Sequence, residues 1–225
     1  MLKKLNRQIS SIGRELIRTV AGDYLGDVIF DVAEVFLDQN LSDGVLKDLP
    51  VVGVLAKLAK SKQSVSEELF IRKLVRFLYD LNNLSSQEKE KFIEKYPDFS
   101  EEQRVLGENL LLALERLDDI EKPAILARFF AAYIKAEIDY LTFTRLSLCL
   151  GKFNLGLLPS LRGFYTGEES AVKTSEEIIH ELSLSGLIRV GLAGSGAIGG
   201  SARYLQSNIG KLFLSIGFDA VESAA

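Results

Sequence analysis

The run with the most pointed chemical spacing is Gly194-Ser195-Gly196-Ala197-Ile198-Gly199, a G-x-G-x-x-G pattern. In a dinucleotide site that spacing lets backbone N–H groups close on a pyrophosphate, and an acid about 20 residues on holds the ribose. Asp219 stands at that distance from Gly199. Such a site also needs several parallel strands with crossovers, yet only 26 residues follow Gly199 and the long stretch before it reads as helix. Gly194, Gly196 and Gly199 are therefore read as a glycine hairpin, and no cofactor is expected. Lys135-Ala136-Glu137-Ile138-Asp139 resembles the end of a calcium loop only superficially. The positions that should supply oxygen ligands are Phe130, Ala132 and Ile134, so the segment is read as a tight helix–helix turn and no metal is expected. His180 sits between Ile179 and Glu181 on a helical stretch, as a core-edge histidine, and Cys149 between two leucines reads as a small buried hydrophobe. The pairs Asp118-Asp119 and Glu101-Glu102 fall at helix starts, where acids complement the dipole. With no P-loop, nucleophile elbow or two-His helix, no catalytic residue is assigned and the chain is read as non-enzymatic.

The bulk composition agrees. A chain of 225 residues with one Cys and one His excludes a disulfide framework and any zinc site built from those two residue types. Hydrophobic residues at 47% and charged residues at 26% exclude wholesale disorder and allow a sizeable core. A mean hydropathy of +0.14 leaves apolar surface for a partner or a membrane.

The net charge of −4 hides a local asymmetry: residues 1–20 carry +4 and residues 21–44 carry −6. One reading is an antiparallel helical hairpin with complementary faces. The other is a basic amphipathic helix on anionic lipid, with Lys3, Lys4 and Arg7 meeting headgroups and Val51, Val52, Val54, Leu55 and Lys57 forming a second, shallow contact. Polar residues interrupt residues 5–19, so no signal peptide is read, and no run reaches the roughly 20 apolar residues of a spanning helix. The expected location is cytoplasmic, with peripheral attachment at the inner membrane face as the variant that the lipid reading implies.

The elements that must position these residues are mostly helices. Leu2, Leu5, Ile9, Ile12, Leu16 and Val20 form one stripe, and Leu25, Val28, Ile29, Val32, Val35 and Phe36 another. Hydroxyl residues followed three positions later by Glu or Gln mark helix starts at Ser64, Ser85, Ser100 and Thr174, and Pro123 marks one after Asp119. Residues 151–173 are richer in glycine and are taken as a linker. Two short strands are expected around Leu187–Val190 and Ala202–Gln206, then a last helix capped by Ser207.

Gly186-Leu187-Ile188, the glycine-rich stretch after it, and Tyr204 to Leu212 with Ser207 and Gly210 resemble the end of a winged-helix domain. The resemblance covers about residues 170–217. It implies DNA contact, with the helix before the first strand as reader and the wing on the backbone, and Arg189, Arg203 and Lys211, beside Arg162 and Lys173, as the basic surface. The helix that would read DNA instead carries Glu176, Glu177 and Glu181, and residues 191–201 hold no Lys or Arg. Phosphate contacts supply most DNA affinity, so these residues favour a protein-contact module.

The expected architecture is mainly α: a helical bundle over 1–150 (with 64–150 as its core helices), a linker over 151–172, and a small winged-helix-like α+β unit over 173–225. The expected function is a non-enzymatic interaction or regulatory protein whose partner is another protein or a second copy. The alternatives are a membrane-surface effector using residues 1–63 and a DNA-binding regulator.

Overall fold

The computed structural model describes residues 2–22, 65–96, 100–167, 175–192 and 202–219. The chain is mainly α-helical, with nine α-helices and one two-stranded antiparallel sheet among the described residues. It divides into two compact units, residues 1–137 and 138–225.

The first unit holds α1 (Leu2–Ala21), α2 (Val65–Asp80), α3 (Ser86–Lys95), α4 (Glu101–Glu115) and α5 (Lys122–Ile134). Eleven of the thirteen α5 residues are buried, so α5 is the central helix, apolar on every side. Phe130 of α5 gathers Phe77 of α2 and Phe92 of α3, with ring centroids 5.9 and 5.8 Å away. Lys122, 1% exposed, places its ammonium on Asp118 at 2.5 Å, so the charge is paired as it enters the core. α1 lies against α4 with Ile12, Leu16, Ile17 and Val20 buried. The two helices meet backbone to backbone at Gly13 and Gly107. A Cβ on Gly13 would stand 2.9 Å from Glu108 N, and one on Gly107 would run into the Gly13 carbonyl. Beside the crossing, the Ser10 hydroxyl donates to Glu108 at 2.5 Å, and Arg104 bridges Glu108 and Glu101.

Helix starts follow the hydroxyl pattern. Ser85 and Glu88 form a full capping box: Ser85 Oγ accepts from Glu88 N at 3.3 Å, and Glu88 accepts from Ser85 N at 2.7 Å. Ser100 caps α4 by accepting from Gln103 N at 3.0 Å. Pro123 sits in the first turn of α5, and the turn before it is closed by Asp119 accepting from Glu121 N.

The second unit holds α6 (Tyr140–Lys152), α7 (Leu158–Thr166), α8 (Glu176–Leu184), β1 (Ile188–Leu192), β2 (Ala202–Gln206) and α9 (Asn208–Leu214), the last running on into a π turn over Ser215–Asp219. Phe143, Leu146 and Leu150 of α6, Phe153, Leu161, Leu182 and Phe213 build its core, with Phe153 edge-on to Phe213 at 5.2 Å. The ribbon pairs Ile188 with Gln206 and Leu192 with Ala202.

Two expectations change. Residues 155–166 form a 3-10 turn and α7 rather than a linker, and α6 belongs to the second unit, so the division falls at 137/138. The glycines there have local uses: Gly167, at φ 76, ends α7 in the left-handed region, where glycine carries no Cβ penalty. The cap of α8 is Ser175, accepting from Ile178 N at 3.4 Å, so the register is one residue later than a Thr174–Glu177 box would set. The two strands are antiparallel neighbours, the pairing that the hairpin reading expects and not the parallel crossover of a dinucleotide fingerprint. Gly194, Gly196 and Gly199 themselves, the second amphipathic stripe and the Ser64 cap lie outside the described residues.

Candidate functional site

The most connected polar arrangement of the second unit is built around one hydroxyl. Tyr165, near the end of α7, donates to Leu187 O at 2.6 Å and accepts from Ser207 N at 3.0 Å. Ser207 Oγ donates to the same Leu187 carbonyl at 2.8 Å and caps α9 by accepting from Gly210 N at 2.9 Å. This clasp ties α7, the entry to β1 and the start of α9 together. Gly210 is required there, because a Cβ would run into Tyr165 Oη and Leu187 O. The clasp is structural and holds both chain ends of the ribbon to α7.

Those faces carry opposite charge. On α8, Leu182 points inward while Glu176, Glu177, His180, Glu181 and Leu184 are exposed. On the ribbon, the register sets Arg189 opposite Leu205 and Arg203 opposite Gly191. Arg189 is exposed, and its Nε donates to Gln206 O at 3.4 Å. Lys211 is exposed on α9. α6 is apolar on two faces. Phe143, Leu146 and Leu150 turn inward, whereas Leu141 and Leu148 turn outward together with Arg145 and Lys152.

The groups that chemistry could use stand apart from one another. Cys149 is buried, and burial pushes its thiol up against the pull of Arg145 and Lys152, which disfavours the thiolate. His180 faces solvent rather than the core edge. Asp139 caps α6 by accepting from Thr142 N at 2.7 Å, and hydrogen bonds from the Thr142 side chain and amide lower its carboxyl. The calcium-like stretch is thus a helix–helix turn, closed through Ala136 at φ 59. Among the described residues no cluster of three or more His, Cys, Asp or Glu converges on a metal position. In the first unit, burial raises the Asp80 carboxyl against the pull of Arg76 and Arg128, within a chain of ion pairs from Asp80 through Arg76 to Glu121. A groove of about 140 Å³ lies among Ile17, Ala21, Phe92, Ile93, Tyr96 and Gln103. Small-molecule sites run to several hundred Å³, so this groove is too small for a drug-sized ligand.

The chain matches no family model, no curated protein and no solved structure.

For the membrane reading, Lys3, Lys4 and Arg7 lie in α1, while Val51, Val52, Val54, Leu55 and Lys57 lie outside the described residues. From Ile12 onward the α1 apolar stripe is buried within its own unit. No described helix is long and apolar enough to cross a membrane. Sequence reasoning missed Tyr165, the Gly13–Gly107 crossing and the outward leucines of α6. Only the glycines left a signal: a glycine inside a helix costs about 0.5–1 kcal/mol against alanine, so its presence points to a close approach.

Proposed function

We propose that the chain is a non-enzymatic interaction protein, and that residues 138–225 form a winged-helix-like module that contacts protein rather than DNA. The order of three helices, a two-stranded ribbon and a closing helix supports the winged-helix-like reading, as do Ser207 and Gly210 in the clasp. The observation that carries the choice of partner is the outer face of α8. The helix preceding the first strand presents Glu176, Glu177 and Glu181 to solvent, and carboxylates at that position repel phosphate. The buried thiol of Cys149 and the outward His180 support the non-enzymatic part, since neither is held against a second catalytic group among the described residues.

The exposed Arg189 of the ribbon favours DNA binding as the second reading. Fluorescence anisotropy with a labelled duplex, at about 50 mM and about 200 mM salt, separates the two, because phosphate-driven binding falls steeply over that range. The expected result is no saturable binding at either salt. Saturable binding that weakens with salt and is lost in Arg189→Glu would establish the DNA reading instead.

A further inference from the structure

Two helix faces of the second unit are apolar, exposed and oppositely charged. On α6, Leu141, Arg145, Leu148 and Lys152 recur at steps of four, three and four, a single stripe about 16 Å long at 1.5 Å per residue. Leu141 is 66% exposed and Leu148 49%, and both cations are exposed. On α8, Glu177, Glu181 and Leu184 recur at steps of four and three over about 10 Å, with Leu184 64% exposed and both acids exposed. Among the described residues none of Arg145, Lys152, Glu177 and Glu181 forms an ion pair. The two faces belong to one unit, and neither covers the other within a single copy. Scattered exposed leucines need no explanation, but here they stand in line with charge, Leu141 and Leu148 with cations on α6 and Leu184 with acids on α8.

We propose that the α6 face and the α8 face are self-complementary and dock a second copy of this chain, α6 of each protomer lying on α8 of the other. The inference rests on reading the unit as a protein-contact module and names the partner. Charge complementarity selects a second copy: the acidic, leucine-bearing face that fits the basic stripe of α6 is already present on the same unit. In a two-fold dimer each element meets its complement reciprocally, so a basic stripe and an acidic stripe on the same unit can pair across the axis. The contact is made twice per dimer. The leucines supply buried apolar area, while the four charges set register and salt dependence.

Sedimentation equilibrium of the full chain, over about 1–200 µM, reads the association directly. The native chain is expected to dimerise, more weakly at high salt. Glu177→Lys with Glu181→Lys should weaken association at least about ten-fold, and Arg145→Glu with Lys152→Glu should do the same. All four reversals together should bring it back to within about three-fold of the native chain, since the pairs are then restored with exchanged signs. Leu184→Ser should weaken it without any change of charge. All these side chains are exposed, so circular dichroism and melting should be unchanged, which separates lost docking from lost folding. A native chain that stays monomeric throughout would overturn the proposal, and so would a dimer that the four-fold reversal does not restore. Either result leaves the contact-module reading in place with a different partner. That broader reading fails separately, in the duplex titration.

Discussion

One phenolic hydroxyl holds three segments of the second unit. Tyr165 Oη serves the Leu187 carbonyl 22 residues on and the Ser207 amide 42 residues on. Leu187 O keeps a second donor in Ser207 Oγ, but Ser207 N has no other acceptor in the clasp. In Tyr165→Phe that part-buried N–H therefore loses its partner at a cost of about 1–3 kcal/mol, more than the net worth of an average hydrogen bond. Urea unfolding should show the loss, and hydrogen exchange should place it, with the Ser207 amide exchanging faster than in the native chain. Unchanged exchange at Ser207 would mean the clasp is not closed in solution. Ser207 and Gly210 were legible in the sequence because capping and glycine patterns are local. Tyr165 was not, because a hydroxyl's partner 42 residues away depends on tertiary placement that no spacing encodes.

Helices are where local and tertiary physics can be set against each other. Alanine for glycine inside a helix ordinarily stabilises by about 0.5–1 kcal/mol. Gly151 in α6 has open space around its Cβ position, so Gly151→Ala should follow that rule and raise the melting temperature. Gly107 in α4 faces the backbone of α1, so in Gly107→Ala the overlap with Gly13 forces the helices apart, for a net loss of about 1–3 kcal/mol. Opposite signs in the two melts would confirm the backbone contact, whereas a rise in both would remove it. The α3 cap gives a pH-dependent case. Hydrogen bonds from the Ser85 amide and hydroxyl lower the Glu88 carboxyl below its ordinary 4.5. A carboxyl lowered by folding stabilises above its ordinary value, and that contribution is lost as pH falls through the lowered one. Ser85→Ala should cost about 1 kcal/mol at neutral pH. An NMR titration should then show Glu88 moving only part of the way back toward 4.5, because the backbone amide of residue 85 still donates to it. No movement would assign the whole shift to the residue-85 amide and none of it to the hydroxyl. These starts were readable because a cap needs only three or four adjacent residues. The Thr174 box failed because adjacent hydroxyl residues leave the register open by one position, and Ser175, the stronger capping type, is the one that accepts from Ile178 N.

Across the whole molecule, the mainly helical class and the ribbon followed from periodicity, while the place where the chain divides did not. Glycine at 151–173 suggested a linker by composition, but Gly167 ends a helix there and α6 joins the second unit. Composition reports backbone freedom, not where contacts thin out. The same distinction bears on the basic first helix, whose charge pattern suits a lipid surface equally well. Ile12, Leu16, Ile17 and Val20 are buried, and at about 1.5–3 kcal/mol for each such side chain their burial rivals the roughly 5–15 kcal/mol net stability of a domain. A chain beginning at Ser64 should therefore lose its cooperative melt in the first unit and bind a hydrophobic dye. If it also pelleted with vesicles, exposed core would account for that. The clean comparison keeps α1 and reverses Lys3, Lys4 and Arg7 to Glu in the full chain. With anionic vesicles at low salt, both the native and the reversed chain should stay in the supernatant. Native pelleting that salt or the reversal abolishes would show that α1 meets lipid through its charged face while its apolar stripe stays in the core.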